Sequence, residues 1–346
     1  MEDKKGGKTL QDRYSRQMLF SSIGEDGQRK IREKHVLLIG AGALGAANAE
    51  ALARAGIGKL TIADRDYVEW SNLQRQQLYT EEDAKQYKPK AIAAAEHLQK
   101  INSEVEIIPV VTDVAIQEME DFIQGIDLII DATDNFDTRL LINDISQKYN
   151  VPWIYGGCVG SYGVTYTILP GKTPCFRCLM EHPTSGATCD TAGVIQPAVQ
   201  MVVAHQVTEA LKILVEDFGA LRETMLSFDV WNNQHMAFKV NRQKKESCPS
   251  CGKLRTYPSL AFESQMKTEV LCGRNTVQIR PGVSKSLNLE EIKKRLQKNM
   301  DIQVTPYLLS FFIEEYRFVL FKDGRAFVHG TNDKAEAKRL YTRYIG

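Results

Sequence analysis

The 346-residue sequence contains no run approaching about 18 uninterrupted apolar residues, so it offers no membrane-spanning helix. Its opening stretch, MEDKKGGKTLQDRYSRQ, lacks the apolar core of a secretory signal. It also lacks an excess of either charge, because 44 Lys plus Arg against 43 Asp plus Glu leave a net charge of +1. A chain so balanced is not expected to wrap nucleic acid or coat an anionic membrane by bulk electrostatics. Internal repeats and low-complexity tracts are missing as well. These absences lead to the expectation of a cytoplasmic protein with no nucleic-acid or membrane partner. What is present, 43% hydrophobic and 25% charged residues, is ordinary for a globular chain, and the length suits one large domain with a smaller companion.

Cysteine is sparse but patterned. Of seven, four fall into two CxxC pairs, CFRC and CPSC. In a cytoplasmic chain such pairs read as a zinc site before a disulfide framework. Cys175, Cys178, Cys248 and Cys251 are therefore expected to bind Zn²⁺ tetrahedrally, stapling the middle of the domain to its end. Four thiolates leave no open position for water, which points to structure rather than catalysis. The alternative, a redox-active CxxC, lacks a thioredoxin-like setting. Cys158 and Cys272 lie in strand-like runs and read as buried small hydrophobes.

Along the chain, Leu10 to Lys34 carries an apolar residue every three or four positions and is expected to contain helix. HVLLIG (35–40) reads as a buried parallel strand, GAGALGAANAEALARAG as a glycine turn opening a helix, and KLTIAD (59–64) as a second strand. Pro89 suits the first position of a helix running to Ile101. VEIIPVV and IDLIIDAT add strands around a helix near Gln117 to Phe122. The alternation predicts a doubly wound, Rossmann-like α/β sheet with right-handed crossovers. Beyond Pro152 the pattern turns antiparallel through WIYGGCVGSYGVTYTIL and MLSFDVWNNQHMAFKV, with a long helix at Gln196 to Val215 between them. A main domain over 1–256 and a small α+β domain over 257–346, with a KDG hairpin turn, complete the expectation.

Gly40, Gly42 and Gly45 form GAGALG between strand and helix. The first glycine permits a tight turn, the second lets backbone approach a phosphate, and the third lets helix pack on strand. Asp64 ends the second strand, where a ribose-binding carboxylate belongs, although a solvated strand-end Asp is the plain alternative. To this point a dinucleotide dehydrogenase fits equally well. Asn72 and Arg75 of SNLQRQ, Lys88 of KPK, and Asp134 with Asn135 do not suit hydride transfer. Arg and Lys can neutralise a triphosphate, and Asp134, after the strand IDLIIDAT, is placed to hold Mg²⁺. Trp70 can pack near an adenine or serve structure alone; His182, His205 and His235 stand isolated and are assigned no catalytic role.

RYSRQ, GAGALG, DRD, SNLQRQ, KPK, TDN, CFRC, TAGV and CPSC occur in this order from about Asp12 to Gly252. As an ordered set they resemble the ThiF/MoeB adenylyltransferases, bacterial relatives of the ubiquitin-activating enzymes. The resemblance implies ATP-dependent adenylation of the C-terminal glycine of a ubiquitin-like sulfur carrier, ThiS-like or MoaD-like, for thiamin thiazole or molybdopterin synthesis. It implies that Asp64 binds ribose, that Asn72, Arg75 and Lys88 bind phosphates, that Asp134 holds magnesium, and that Arg16 reaches across a homodimer to the partner's ATP. It also implies a sulfurtransferase or cysteine desulfurase as sulfur source. Cys189, in GATCDTAGV, corresponds to a cysteine that some ThiF-like members use to link to the activated carrier; a bystander thiol is the alternative. Ala43 departs from the family, many members of which have a third adjacent glycine there. Two other readings stand beside this one: an NAD-dependent dehydrogenase, which leaves Arg75, Lys88, Asp134 and the zinc unused, and a non-enzymatic zinc-stapled scaffold for ubiquitin-like proteins.

Overall fold

A computed structural model of the chain describes residues 10–180, 192–261, 268–271, 275–281, 287–296 and 301–345. Described residues 10–85, 89–180 and 194–261 form one compact unit. Residues 86–88 group with the C-terminal segment in a second.

The first unit is built on an eight-stranded sheet in the order β3-β2-β1-β4-β5-β6-β7-β8. Its strands are β1 (His35–Ile39), β2 (Lys59–Asp64), β3 (Glu106–Val111), β4 (Leu128–Asp131), β5 (Trp153–Val159), β6 (Tyr162–Ile168), β7 (Thr224–Asp229) and β8 (Gln234–Lys239). The first five pair in parallel, and β5 to β8 pair antiparallel, as the change of pattern after Pro152 led one to expect. Pro109 is tolerated inside β3 because that strand is an edge, where a missing N–H costs no ladder bond on the open side.

Helices α1 (Leu10–Met18), α2 (Gly24–Glu33), α3 (Ala43–Ala55), α4 (Glu81–Lys85), α5 (Lys90–Ile101), α6 (Ile116–Phe122), α7 (Phe136–Tyr149), α8 (Phe176–Leu179) and α9 (Gln196–Leu214) complete this unit. The inner strands β1, β2 and β4 are apolar on both sides because both faces are covered. In β1, Val36 and Leu38 pack into a cluster with Leu52, Leu98 and Ala210, whereas Leu37 and Ile39 pack with Ile142, Ile145 and Trp153 on the opposite face. Pro89 is the N-cap of α5 rather than its first helical residue; its ψ of 135° is extended, and it bridges to Tyr67.

In the second unit, β9 (Thr268–Leu271), β10 (Thr276–Ile279), β11 (Ile302–Val304), β12 (Leu308–Ile313), β13 (Tyr316–Phe321) and β14 (Ala326–His329) form an antiparallel sheet in the order β11-β12-β13-β14-β10-β9. Leu289 and Ile292 of α10 (Leu289–Arg295) and Leu340 of α11 (Lys334–Tyr344) share a core with Leu309, Phe311 and Phe318. The KDG turn joins β13 to β14, with Gly324 at φ +87°. Among the described residues no helix is long and apolar enough to cross a membrane.

Candidate nucleotide site and metal centre

In a doubly wound sheet the strand order reverses between β1 and β4, and the crevice beyond their C-terminal ends is where ligands bind. The glycine loop fills the β1 side of that crevice. Gly40 turns at φ +94°, and a Cβ there would meet the Ala132 carbonyl oxygen at 2.6 Å. A Cβ on Gly45 would lie 1.9 Å from the Gly40 carbonyl oxygen, so α3 approaches β1 only because this residue has no side chain. Gly42 is different. Its nearest neighbour would be Gln76 Nε2 at 4.0 Å, so nothing in the chain's own packing demands a glycine. Gly42 is the N-cap of α3 and no side chain caps that helix, which leaves its first amides facing the crevice. Ala43 is simply the first residue of α3, a position that favours alanine.

Asp64 stands at the end of β2 beside this loop. Its two oxygens accept from the backbone N–H groups of Ala41 and Asp66, each at 2.6 Å. Burial pushes its carboxyl up, against the downward pull of Lys90. Lys90 was not foreseen. Its side chain is 3% exposed, and Nζ lies 3.2 Å from Asp66 Oδ2. Lys88, the lysine expected from KPK, belongs to residues 86–88, which group with the second unit. The two lysines flank Pro89, and nothing in the motif says which one turns towards β2. Tyr79, buried, donates to the Ala41 carbonyl at 2.6 Å and ties the glycine loop to the segment after SNLQRQ.

On the β4 side, Asp131 is fully buried and accepts from Thr133 N at 2.9 Å, from Thr133 Oγ1 at 2.7 Å and from Arg139 Nε at 3.1 Å. Arg139 also donates to the Thr133 carbonyl. The loop leading to Asp134 is thereby fixed from both ends. Asp134 itself is exposed, and no hydrogen-bonding or ion-pair partner holds it among the described residues. Since Arg139 is committed to Asp131, the Asp134 carboxylate is open to a cation, which fits the expected Mg²⁺. Asn135 caps α7, its Oδ1 accepting from Thr138 N at 3.0 Å.

SNLQRQ forms a 3-10 turn at Trp70–Asn72. Asn72 is buried and accepts from Glu69 N at 3.0 Å, so it fixes the turn; Arg75 is half-buried and donates to the Ser71 carbonyl at 2.8 Å. Gln76, 3% exposed, keeps a buried Oε1 with no partner among the described residues, next to Gly42. Trp70 is 54% exposed.

RYSRQ lies in α1. Arg13 donates to the Ile101 carbonyl, Tyr14 OH accepts from Asn102, and Gln17 donates to the Ala55 carbonyl at 2.9 Å. Arg16 is exposed, as Arg13 is, but carries no such anchor among the described residues. These anchors hold α1 at the C-terminal end of α3, opposite the end that bears Gly42.

The four expected thiol ligands come together. Their sulfurs all lie within 4.8 Å of one another, buried, with Cys175 3.8 Å from Cys178 and 3.6 Å from Cys248, and Cys178 3.5 Å from Cys251. Sulfurs about 2.3 Å from one tetrahedral ion stand roughly 3.8 Å apart, so the spacing fits Zn²⁺. Cys158 packs half-buried beside Leu44 and Val199, as a small hydrophobe does. Cys189, His182 and Cys272 lie outside the described residues.

Residues 14–250 match the ThiF family. A sulfur carrier protein ThiS adenylyltransferase of Bacillus subtilis is 50% identical over 336 residues, covering 96% of this chain and 99% of that one. A sulfur carrier protein adenylyltransferase of Thermus thermophilus is 33% identical over 270 residues, covering 76% and 96%. A crystal structure of MccB from E. coli superposes with a TM-score of 0.62 over 69% of this chain and 75% of that one; at 22% identity it shares the fold. With residues 14–250, well over half of its length, matching the family, the chain belongs to the ThiF family.

Proposed function

We propose that this protein uses ATP to adenylate the C-terminal glycine of a ubiquitin-like sulfur carrier, ThiS-like rather than MoaD-like. The observation that carries the reading is Gly42. It is a glycine that packing does not require, placed before uncapped helix amides, between an Asp at the ribose position and an open Asp at the magnesium position. The choice of a ThiS-like carrier is supported by the Bacillus subtilis relative, whose likeness runs through the C-terminal unit as well. The dehydrogenase and scaffold readings find no support among the relatives.

A carboxylate is a poor electrophile for sulfur, and joining it to AMP supplies a good leaving group. In this reading the amides of Gly42 and α3 cradle the phosphates, and Asp64 accepts from the ribose hydroxyls. Lys90 and Arg75 offset the charge that builds as the carrier carboxylate attacks the α-phosphate and pyrophosphate departs. Asn72 acts by holding the turn that carries Arg75, and Lys88 keeps the phosphate role the family resemblance implies. Asp134 would hold Mg²⁺, which draws charge from the phosphate oxygens. The zinc centre is structural.

Arg16 is assigned to the partner's site in a homodimer. Helix α3 separates the anchor of α1 at Ala55 from Gly42 by about 20 Å, at about 1.5 Å per residue, beyond one side chain's reach. Adenylation is assigned to 1–256, and 257–346 to an accessory unit. A sulfurtransferase or cysteine desulfurase would act on the product. Mass spectrometry of a ThiS-like and a MoaD-like carrier, each incubated with the enzyme, ATP and Mg²⁺, tests the reading. An AMP adduct on the ThiS-like carrier supports it, and no adduct on either contradicts it.

A further inference from the structure

Among the buried polar residues of helix α7, Asn143 and Asp144 have no exposed surface and no place in the nucleotide site. Both face the cysteine knuckles. Asn143 Oδ1 accepts from Phe176 N, inside CFRC, at 2.8 Å. Asp144 Oδ1 accepts from the hydroxyl of Ser250, inside CPSC. Asp144 Oδ2 accepts from Arg177 Nη2, again inside CFRC, at 3.3 Å, and from Ser259 N at 2.8 Å. Arg177 closes the circuit, donating through Nε to Ser250 Oγ at 2.9 Å and through Nη2 to Ser259 Oγ at 2.8 Å. One carboxylate thus joins the middle residues of two knuckles that are far apart in sequence.

We infer that Asp144 is the positioning residue of the four-cysteine centre, holding CFRC and CPSC at the separation a single Zn²⁺ requires. This rests on the reading of the four cysteines as a metal site. A metal-binding peptide loop leaves its ion one ligand at a time, and each loss is easily reversed while the knuckles stay clamped. With the clamp gone, the CPSC knuckle can swing away, and the second ligand is lost before the first returns. Outer partners of metal ligands commonly carry about 10–100-fold of metal affinity, and an effect of that size is expected here, read as retention. The buried carboxylate itself is made tolerable by its donors: the Arg177 guanidinium, the Ser250 hydroxyl, the Asn143 side-chain amide and the Ser259 backbone amide.

The test measures zinc release from the full-length protein to a chromogenic chelator, well below the unfolding temperature, after the zinc content per chain has been established. Asp144→Ala is compared with Leu98→Ala, a core substitution on α5 that touches neither knuckle. The expected result is release at least about 10-fold faster in Asp144→Ala than in wild type, with Leu98→Ala releasing at the wild-type rate despite its lower melting temperature. Ser250→Ala, which removes one arm and leaves the Arg177 and Ser259 contacts, gives a smaller acceleration and serves if Asp144→Ala does not fold. Equal release from wild type and both knuckle variants, with the wild type zinc-replete, overturns the proposal alone. The same holds if Leu98→Ala releases zinc as fast as they do. A wild-type protein that holds no zinc overturns the proposal together with the metal reading beneath it.

Discussion

Arg139 and Asp131 form a buried ion pair, Nε to Oδ2 at 3.1 Å, directly behind the loop that presents Asp134. The pair joins β4 to α7, and Asp134 adds a through-space attraction to the same guanidinium without a hydrogen bond to it. Removing one partner strands a buried charge, so Arg139→Ala is expected to cost about 3–5 kcal/mol in urea unfolding at neutral pH. Burial already pushes the Asp131 carboxyl above its ordinary value, even with Arg139 beside it. A folded-state pKa above the unfolded one favours the fold below the unfolded pKa and loses that advantage as pH rises through the folded pKa. The cost of Arg139→Ala is therefore largest at neutral pH and shrinks as the medium is acidified towards the carboxyl range. A pH-independent cost would contradict this.

The second and third glycines of GAGALG separate binding from packing. Gly45→Ala places a Cβ 1.9 Å from a backbone oxygen and is expected to lower the melting temperature sharply or prevent folding. Gly42→Ala meets nothing closer than 4.0 Å, so its melting temperature should match wild type while ATP affinity, measured by calorimetry, falls about 10-fold or more. Unchanged ATP affinity would remove the phosphate from this loop.

The KPK lysines should behave unequally. Lys90, buried and paired with Asp66, is expected to lose about 10²–10³-fold in adenylation rate on substitution by alanine, the scale of one lost donor to developing charge. Lys88→Ala should lose much less. The reverse order in steady-state kinetics would return the phosphate contact to Lys88.

The role proposed for Arg16 across a dimer makes a complementation experiment possible. Arg16→Ala and Asp134→Ala, each inactive alone, should recover about a quarter of wild-type activity when co-expressed and allowed to form mixed dimers, because each mixed dimer has one intact site. No recovery would place Arg16 outside the partner's site.

Much of this site was legible because its parts obey local rules. A continuous apolar strand ending in GAGALG announces the crevice, Asp64 falls at the next strand end, and the CxxC spacing foretells four sulfurs that meet across 70 positions. Three features were not legible. Lys90 opens helix α5 just after its N-cap Pro89 and pairs with Asp66, which the KPK motif does not record. The Asp131–Arg139 pair joins a strand end to a helix start, where no periodic pattern links partners. Helix α7 hid behind FDTRLLINDISQKY, whose Asn143, Asp144 and Gln147 are polar yet buried, so its inward face does not look apolar. The six-strand order of the second sheet is likewise set by long-range pairing that no local signal records.

The central claim is best tested by exchange of labelled pyrophosphate into ATP, catalysed by the purified protein with Mg²⁺ and a ThiS-like carrier. The expected result is exchange that requires the carrier and its C-terminal glycine and disappears in Asp134→Ala while the carrier still binds. Absence of exchange from the folded wild-type protein, or exchange that persists in Asp134→Ala, would contradict adenylation at this site.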